Sequence, residues 1–170
     1  MGQRAGEHEK LLILDFGSQY TQLIARRVRE LGVYCEVKPF HSGVAAGEDW
    51  KAVILSGSPC SVHDAKAPSV DLTEILARYP VLGICYGAQL LASYYGGRVV
   101  RSQKREYGRA SLQNVNKSTL LEGIRQGVDV WMSHGDSIEV LPEGWKVLAS
   151  TPDIPVAAFQ AKDKVYGLQF

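Results

Sequence analysis

Residues 81–87 read VLGICYG and decide the fold, because they join a short apolar run to a helix through a cysteine between glycines. Val81–Ile84 is apolar without interruption, as a strand buried on both faces should be. The residues from there to about Tyr95 are mostly small and apolar, and two glycines follow them. They predict a helix that ends at those glycines.

Two further apolar runs precede this stretch, at residues 11–15 and at Ala52–Leu55, and each ends in a turn that contains glycine. Between them the sequence predicts a helix over residues 19–31, with Ser18 as its N-cap, and a short strand at residues 34–37. This order of strands and helices predicts an α/β fold with a mostly parallel open sheet flanked by helices.

The first predicted helix is amphipathic, and Gly32 follows it where a left-handed C-cap belongs. The apolar residues spaced for its buried face are Leu23, Ile24, Val28 and Leu31. A further helix is predicted over residues 70–78, because Pro80 prevents its continuation.

After Gly97 the chain is dominated by short β-like segments, which predict additional strands, some of them antiparallel. These segments cover residues 99–100, 108–115, 128–132, 145–150, 156–160 and 165–170. Residues 162–163 are expected to form a hairpin tip. We therefore expect a polar, flexible leader over residues 1–10 and a single domain over residues 11–170.

The composition narrows the function classes. The 170 residues carry 19 Lys and Arg against 18 Asp and Glu, a net charge of +1. This balance argues against a nucleic-acid or membrane-surface binder, and no apolar run approaches the ~20 residues of a membrane-spanning helix. Three cysteines without a CxxC pair argue against a disulfide framework or a metal site. They favour a reducing, cytoplasmic location.

Cys85 is the strongest candidate for chemistry, because the Gly-x-Cys-x-Gly turn has the form that presents a nucleophile between a strand and a helix. The glycines are needed so that neighbouring backbone can pass without Cβ clashes. The helix N-terminus is expected to favour the thiolate and to offer N–H groups to an oxyanion. The alternative is a small buried residue at a glycine-rich turn.

Other candidates are weaker. Residues 56–59, SGSP, end a second apolar strand, so the same sheet edge gains a turn that presents backbone N–H groups. Cys35 and Cys60 are expected to be structural. His134 with Asp136 permits an interpretation as a base and its orienting carboxylate.

The remaining histidines, at positions 8, 41 and 63, are expected to be solvated. Two basic clusters are interpreted as solvated surface or, alternatively, as docking sites for a partner. Their members are Arg26, Arg27 and Arg29, then Arg98, Arg101, Lys104 and Arg105.

Four segments together resemble a known family. They are DFGSQY (15–20), LSGSPCSVHD (55–64), GICYGAQ (83–89) and WMSHGD (131–136). The chain from residue 10 to its end is similar to class I, triad-type glutamine amidotransferase domains. GICYGAQ indicates the superfamily, and DFGSQY with WMSHGD indicates its GMP synthase branch.

The resemblance implies that Cys85 attacks the side-chain amide of glutamine and forms a glutamyl thioester, which water hydrolyses. It implies an oxyanion hole at the amides of Ser58 and Tyr86. It also implies a glutamine pocket, in which His134 is not the base. The pocket residues are Gly57, Gln89, Ser133, Gly135 and Asp136.

The family's remaining triad residues arrive as His-Pro-Glu just after a strand similar to residues 165–168, and this sequence stops at Phe170. Truncation is the favoured explanation; a sequence limited to its ordered part and a natural variant are the alternatives.

The predicted function is ammonia supply to a synthetase domain that converts XMP to GMP and binds ATP and magnesium. Glutamine and that domain are the expected partners. A catalytically incomplete glutamine-binding module, or an amidotransferase of another branch, are the other hypotheses.

Overall fold

The computed structural model describes residues 9–162 and 164–170, with residues 103–106 described as backbone only. Most of the predicted leader, the second residue of the predicted hairpin tip and the side chains of Lys104 and Arg105 therefore lie outside the described residues. None of the helices in the described part is long and apolar enough to cross a membrane.

The chain folds into a seven-stranded sheet, a two-stranded sheet and three α-helices. The elements in chain order are β1 (Lys10–Asp15), α1 (Thr21–Glu30), β2 (Tyr34–Pro39), β3 (Ala52–Leu55), α2 (Leu72–Arg78), β4 (Val81–Ile84), α3 (Tyr86–Tyr94), β5 (Arg98–Ser111), β6 (Asp129–Val140), β7 (Lys146–Ala149), β8 (Ala158–Ala161) and β9 (Val165–Leu168). The α/β architecture predicted from the sequence is confirmed.

The large sheet has the strand order β2-β1-β3-β4-β9-β8-β7. Its first five strands are parallel, and β8 and β7 extend it as antiparallel strands. The chain leaves β1 for β2 on one side and returns to β3 on the other, which creates a switch point. Ligands of open α/β sheets bind at the carboxyl edge near such a point. The ends of β3, β4 and β9 lie at that edge.

Alternation along β1 shows how both faces of the sheet are covered. Leu12 and Leu14 belong to the core cluster that contains residues of α2 and α3, whereas Ile13 packs with Ala25 of α1 on the opposite face. All three β1 side chains are fully buried. Each contributes about 1.5–3 kcal/mol relative to an exposed position, and together they fix β1 in the centre of the domain.

The first helix differs from its prediction in two ways. It begins at Thr21, with Tyr20 at the N-cap position and no side-chain cap, while the Ser18 hydroxyl accepts a bond from the Tyr20 amide in the preceding turn. Leu23 and Leu31 are exposed by 47% and 83%, so their assignment to the buried face is wrong.

The residues that α1 buries completely are small, because the helix lies close to the sheet there. Thr21 and Ala25 are buried, and Ile24 and Val28 pack beside them as predicted. Gly32 has a φ of 79° and provides the expected left-handed C-cap.

The basic cluster of α1 is satisfied on the surface of the domain. Arg26 and Arg27 both pair with Glu30, and Arg29 donates to the Cys35 carbonyl. Exposed pairs of this kind contribute little to stability.

Candidate active site at the β4–α3 turn

Cys85 occupies a strained bend between β4 and α3. Its φ of 49° and ψ of −108° lie where L-residues are rarely found, and Asn114 is the only other non-glycine residue with positive φ in the described part. The bend is fixed from both sides, because the Cys85 amide donates to Leu168 O at 2.7 Å and its carbonyl accepts from Gln89 N at 3.0 Å. Such a conformation costs about 1–3 kcal/mol and marks functional sites.

The glycines on either side of the bend allow backbones to approach closely. A Cβ at Gly83 would lie 2.6 Å from Ala88 N, and one at Gly87 would lie 2.7 Å from the Leu55 Cβ. Real Cβ atoms do not approach other atoms so closely. The prediction that these glycines are required at the turn is confirmed.

Two backbone amides lie near the nucleophile without acceptors. Ser58 follows the end of β3, and Tyr86 is the first residue of α3. Throughout residues 9–162 and 164–170, no hydrogen bond uses the Ser58 or the Tyr86 amide as donor. Both residues line the same cavity as Cys85, so their N–H groups are available to an anion formed there.

A cavity of about 420 Å³ brings most of the predicted site residues together. Those on its wall are Ser58, Cys85, Tyr86, Gln89, Ser133, Gly135 and Asp136. Gly57 is not among them. It lines a second cavity of about 400 Å³, to which Ser58, Cys85 and Ser133 also contribute. A Cβ at Gly57 would stand 3.7 Å from the Cys85 Cβ, so the turn after β3 passes directly beside the nucleophile.

Gln89 is held rigidly in the floor of the first cavity. Its Nε2 donates to Asp136 O at 2.8 Å and to Gln169 Oε1 at 3.2 Å. Gln169 in turn donates through Nε2 to Val156 O at 2.7 Å. In the described part of the chain no hydrogen bond uses Gln89 Oε1, which leaves this oxygen to accept from a ligand.

His134 has two buried ring nitrogens and a partner for neither of them among the described residues. Burial lowers the pKa of its imidazole, an effect that nearby Asp136 partly offsets, so the ring is neutral at pH 7. The Asp136 carboxylate bonds to Ser61 and Val62 instead. The interpretation in which Asp136 orients His134 as a base is therefore wrong.

The ionisation of Cys85 differs from the sequence-based expectation. Burial raises the pKa of its thiol to about 11, because the surrounding protein disfavours the charged form. The expectation that the helix N-terminus makes a thiolate at rest is not supported. Deprotonation at neutral pH therefore requires a base that acts when substrate binds.

One component of the site was missed from the sequence, a loop over residues 58–68 that we call the strap. It is tied to the rest of the site through side chains, with Ser61 Oγ donating to Asp136 Oδ2 at 2.6 Å and Tyr86 Oη donating to Pro68 O at 2.6 Å. His63 also holds it, through Nε2 and Val99 O at 2.8 Å, so the expectation that His63 is merely solvated is wrong.

Two strap residues add to the first cavity. Cys60 is exposed and lines it, and Asp64 lines it and pairs with Arg101 at 2.7 Å. The partners of the strap lie 18 to 75 positions away in sequence, so no local pattern indicates them.

Comparisons with known proteins agree on one family. A family model described as glutamine amidotransferase class-I matches residues 12–170. The chain is 54% identical over 164 residues to the glutamine-hydrolyzing GMP synthase of Bacteroides fragilis, which covers 95% of this chain and 32% of that protein. The corresponding enzyme of Cytophaga hutchinsonii is 53% identical with the same coverage. The chain thus spans about a third of the length of these relatives.

Solved structures give the same result. A Thermoplasma acidophilum protein assigned to GMP synthase as one of its subunits superposes with a TM-score of 0.80 at 27% identity, covering 97% of this chain and 84% of that one. A Thermotoga maritima glutamine amidotransferase superposes with a TM-score of 0.78 at 23% identity, covering 97% of this chain and 76% of that one, which supports the fold alone.

Proposed function

The chain belongs to the class I glutamine amidotransferase family, and from this premise we propose that it is the glutamine-hydrolysing region of a GMP synthase. Cys85 attacks the side-chain amide carbon of glutamine, and ammonia leaves as the glutamyl thioester forms. Water then hydrolyses the thioester to glutamate and restores the thiol. The chain's identity to GMP synthases favours this activity over that of a glutamine-binding module.

The observation that carries the proposal is the position of Cys85 on a strained bend, at a cavity it shares with two amides that have no acceptor. The amides of Ser58 and Tyr86 would stabilise the oxyanion of the tetrahedral intermediate. Removing one such donor typically lowers kcat by ~10²–10³. The polar wall of the cavity would bind the amino-acid end of glutamine, with Gln89 Oε1 as one acceptor. Gly57, Ser133, Gly135 and Asp136 are the other proposed pocket residues.

Proton transfer determines where the missing base must act. The thiol has a pKa of about 11, so a base is needed to ionise it and an acid to protonate the leaving ammonia. In the family a His-Pro-Glu segment follows the strand that corresponds to β9. Because β9 pairs in parallel with β4, with Leu168 opposite Ile84, such a segment would emerge at the same edge as Cys85.

The relatives are GMP synthases about three times as long as the matched region. We propose that the ammonia is used by a synthetase region that converts XMP to GMP. In this proposal ATP and magnesium bind in that region, glutamine is the substrate of this one, no resident metal takes part here, and the enzyme works in the cytoplasm.

Glutamine-dependent ammonia release by the complete gene product tests the proposal. Cys85→Ala should abolish release, while Cys35→Ser, a conservative change at a buried thiol remote from the cavity, should retain it. Release that persists in a folded Cys85→Ala protein would refute the assignment of the nucleophile.

A further inference from the structure

The carboxylate of Asp136 connects β6 to the strap. Asp136 is buried, with 5% of its surface exposed. Its Oδ2 accepts from Ser61 Oγ at 2.6 Å and from Val62 N at 3.2 Å. Both donors belong to the strap, so this single oxygen fixes the strap to the wall that carries the proposed glutamine pocket. Charge-assisted bonds of this kind are among the stronger hydrogen bonds in proteins.

The Ser58 amide lies between this attachment and a second one. On the other side Ser56 is fixed to the sheet, because its amide donates to Leu14 O at 3.1 Å and its carbonyl accepts from Gly87 N at 3.1 Å. Only two residues separate Ser58 from Ser61, and the Ser58 hydroxyl accepts from Cys60 N at 3.2 Å within that turn. Releasing Ser61 would therefore free the Ser58 amide on one side.

Asp136 also holds the opposite wall of the cavity. Its main-chain oxygen accepts from Gln89 Nε2 at 2.8 Å. The strap, β6 and α3 consequently meet at one residue, and a shift of the strap relative to Gln89 is opposed by bonds to both ends of Asp136. The carboxylate is already engaged by the strap before any ligand enters, which distinguishes it from a group that waits for substrate.

We propose that the Asp136 side chain is a positioning residue, which acts through Ser61 and Val62 to hold the Ser58 amide in the oxyanion hole and does not itself bind glutamine. The inference rests on the proposed function. It assigns to this carboxylate a role different from the substrate contact that the family resemblance implies.

The test measures the two parts of the role separately. The probe is the glutamine-derived chloroketone L-2-amino-4-oxo-5-chloropentanoate, which alkylates a cysteine next to a glutamine pocket. The Cys85 sulfur forms a bond to the chloromethyl carbon, chloride leaves with the bonding electrons, and the thiol proton passes to solvent. Intact-mass measurements give the maximal rate constant and the half-saturating concentration. The ketone needs the oxyanion hole, whereas iodoacetamide needs neither the hole nor the pocket.

Asp136→Asn and Ser61→Ala should each lower the maximal rate constant about 10- to 100-fold, as expected for a misplaced donor. The half-saturating concentration should stay within about twofold, and so should the rate with iodoacetamide. Because both changes break one connection, the double variant should be no slower than the slower single variant. Asp129→Asn, on the same strand but in an exposed pair with Arg109, is the matched control and should leave all three values unchanged.

A higher half-saturating concentration with an unchanged maximal rate would show that the carboxylate binds the analogue and would overturn the inference, as would no change in either value. If Asp136→Asn does not fold, Ser61→Ala decides, since it leaves the carboxylate in place. Failure of the unmodified protein to react saturably with the chloroketone, while iodoacetamide alkylates Cys85, would refute the glutamine pocket and with it both proposals.

Discussion

Leu55 of β3 and Gly87 of α3 are packed backbone to backbone, with no space for a side chain at position 87. An added Cβ would overlap the Leu55 carbonyl oxygen and lie 2.7 Å from the Leu55 Cβ. This contact presses the helix that carries the nucleophile turn against the central sheet. It also aligns the end of β3 with the end of β4.

Gly87→Ala is therefore expected to lower the free energy of unfolding by about 1–3 kcal/mol, because the backbones must separate. Gly144→Ala is not a suitable control, since Gly144 has positive φ; Gly135, with open space around its Cβ position and no positive φ, is sterically suitable. Urea denaturation of the two alanine variants measures the difference. Equal stability would show that the contact between β3 and α3 is not tight.

The reactivity of Cys85 should depend steeply on pH. With a pKa of about 11, only about one thiol in a thousand is ionised at pH 8. Alkylation of Cys85 by iodoacetamide should rise about tenfold per pH unit from pH 7 to pH 10, since the thiolate is the nucleophile. Peptide-level mass spectrometry separates Cys85 from exposed Cys60. A plateau between pH 6 and pH 8 would instead show that the N-terminus of α3 outweighs burial.

Ser56→Ala should destabilise the domain by about 1–3 kcal/mol, because it leaves a buried donor unpaired. The Ser56 hydroxyl is fully buried, accepts from Phe16 N at 2.9 Å and donates to Gly57 O at 3.0 Å. Ser69→Ala, at an exposed position, should cost less than about 0.5 kcal/mol. Thermal and urea denaturation give both values, and a Ser56 effect as small as that of Ser69 would contradict the role of this hydroxyl.

Glu48 should make the domain sensitive to acid. Its side chain pairs with Lys38 and accepts from Ala45 N and Trp50 Nε1, and the Lys38 bond is the main reason that its pKa falls to about 2. A carboxyl whose folded pKa lies below its unfolded value stabilises the fold above about pH 4.5, and this contribution disappears as the pH falls towards 2.

Glu48→Gln should therefore cost about 1–2 kcal/mol at pH 6, after allowance for the water that reaches the pair, and less than half of that at pH 3. Urea denaturation at the two pH values measures it. Glu122→Gln is a control at an exposed loop position that lies apart from the Lys38 pair. A cost that is equal at both pH values would mean that the pair does not contribute through ionisation.

The central strands and the nucleophile turn were predictable because their signals are local. Ala52–Leu55 and Val81–Ile84 have the predicted bounds, since continuous apolar runs bounded by turn residues permit few alternatives. The glycine requirement around Cys85 was also predictable, because backbone approach at such a turn excludes a Cβ.

Features that depend on distant parts of the chain were not predictable. Leu23 and Leu31 fit a helical period but face away from the sheet, because small residues allow α1 to approach it on another side. The bond from Ser61 to Asp136 spans 75 positions, and serine with aspartate carries no pairing signal at that distance. The pKa of Cys85 depends on the packing around it, which the helix-terminus argument ignores.

The backbone at Cys85, with its φ of 49°, has a consequence for evolution and engineering. A glycine there would relax the bend and an asparagine would fit it better than most residues, so the sulfur is retained against the conformational preference of its own main chain. Sequence optimisation aimed only at thermostability would tend to remove it, and a redesigned scaffold that scores well for folding must have this one position protected if it is to remain a catalyst.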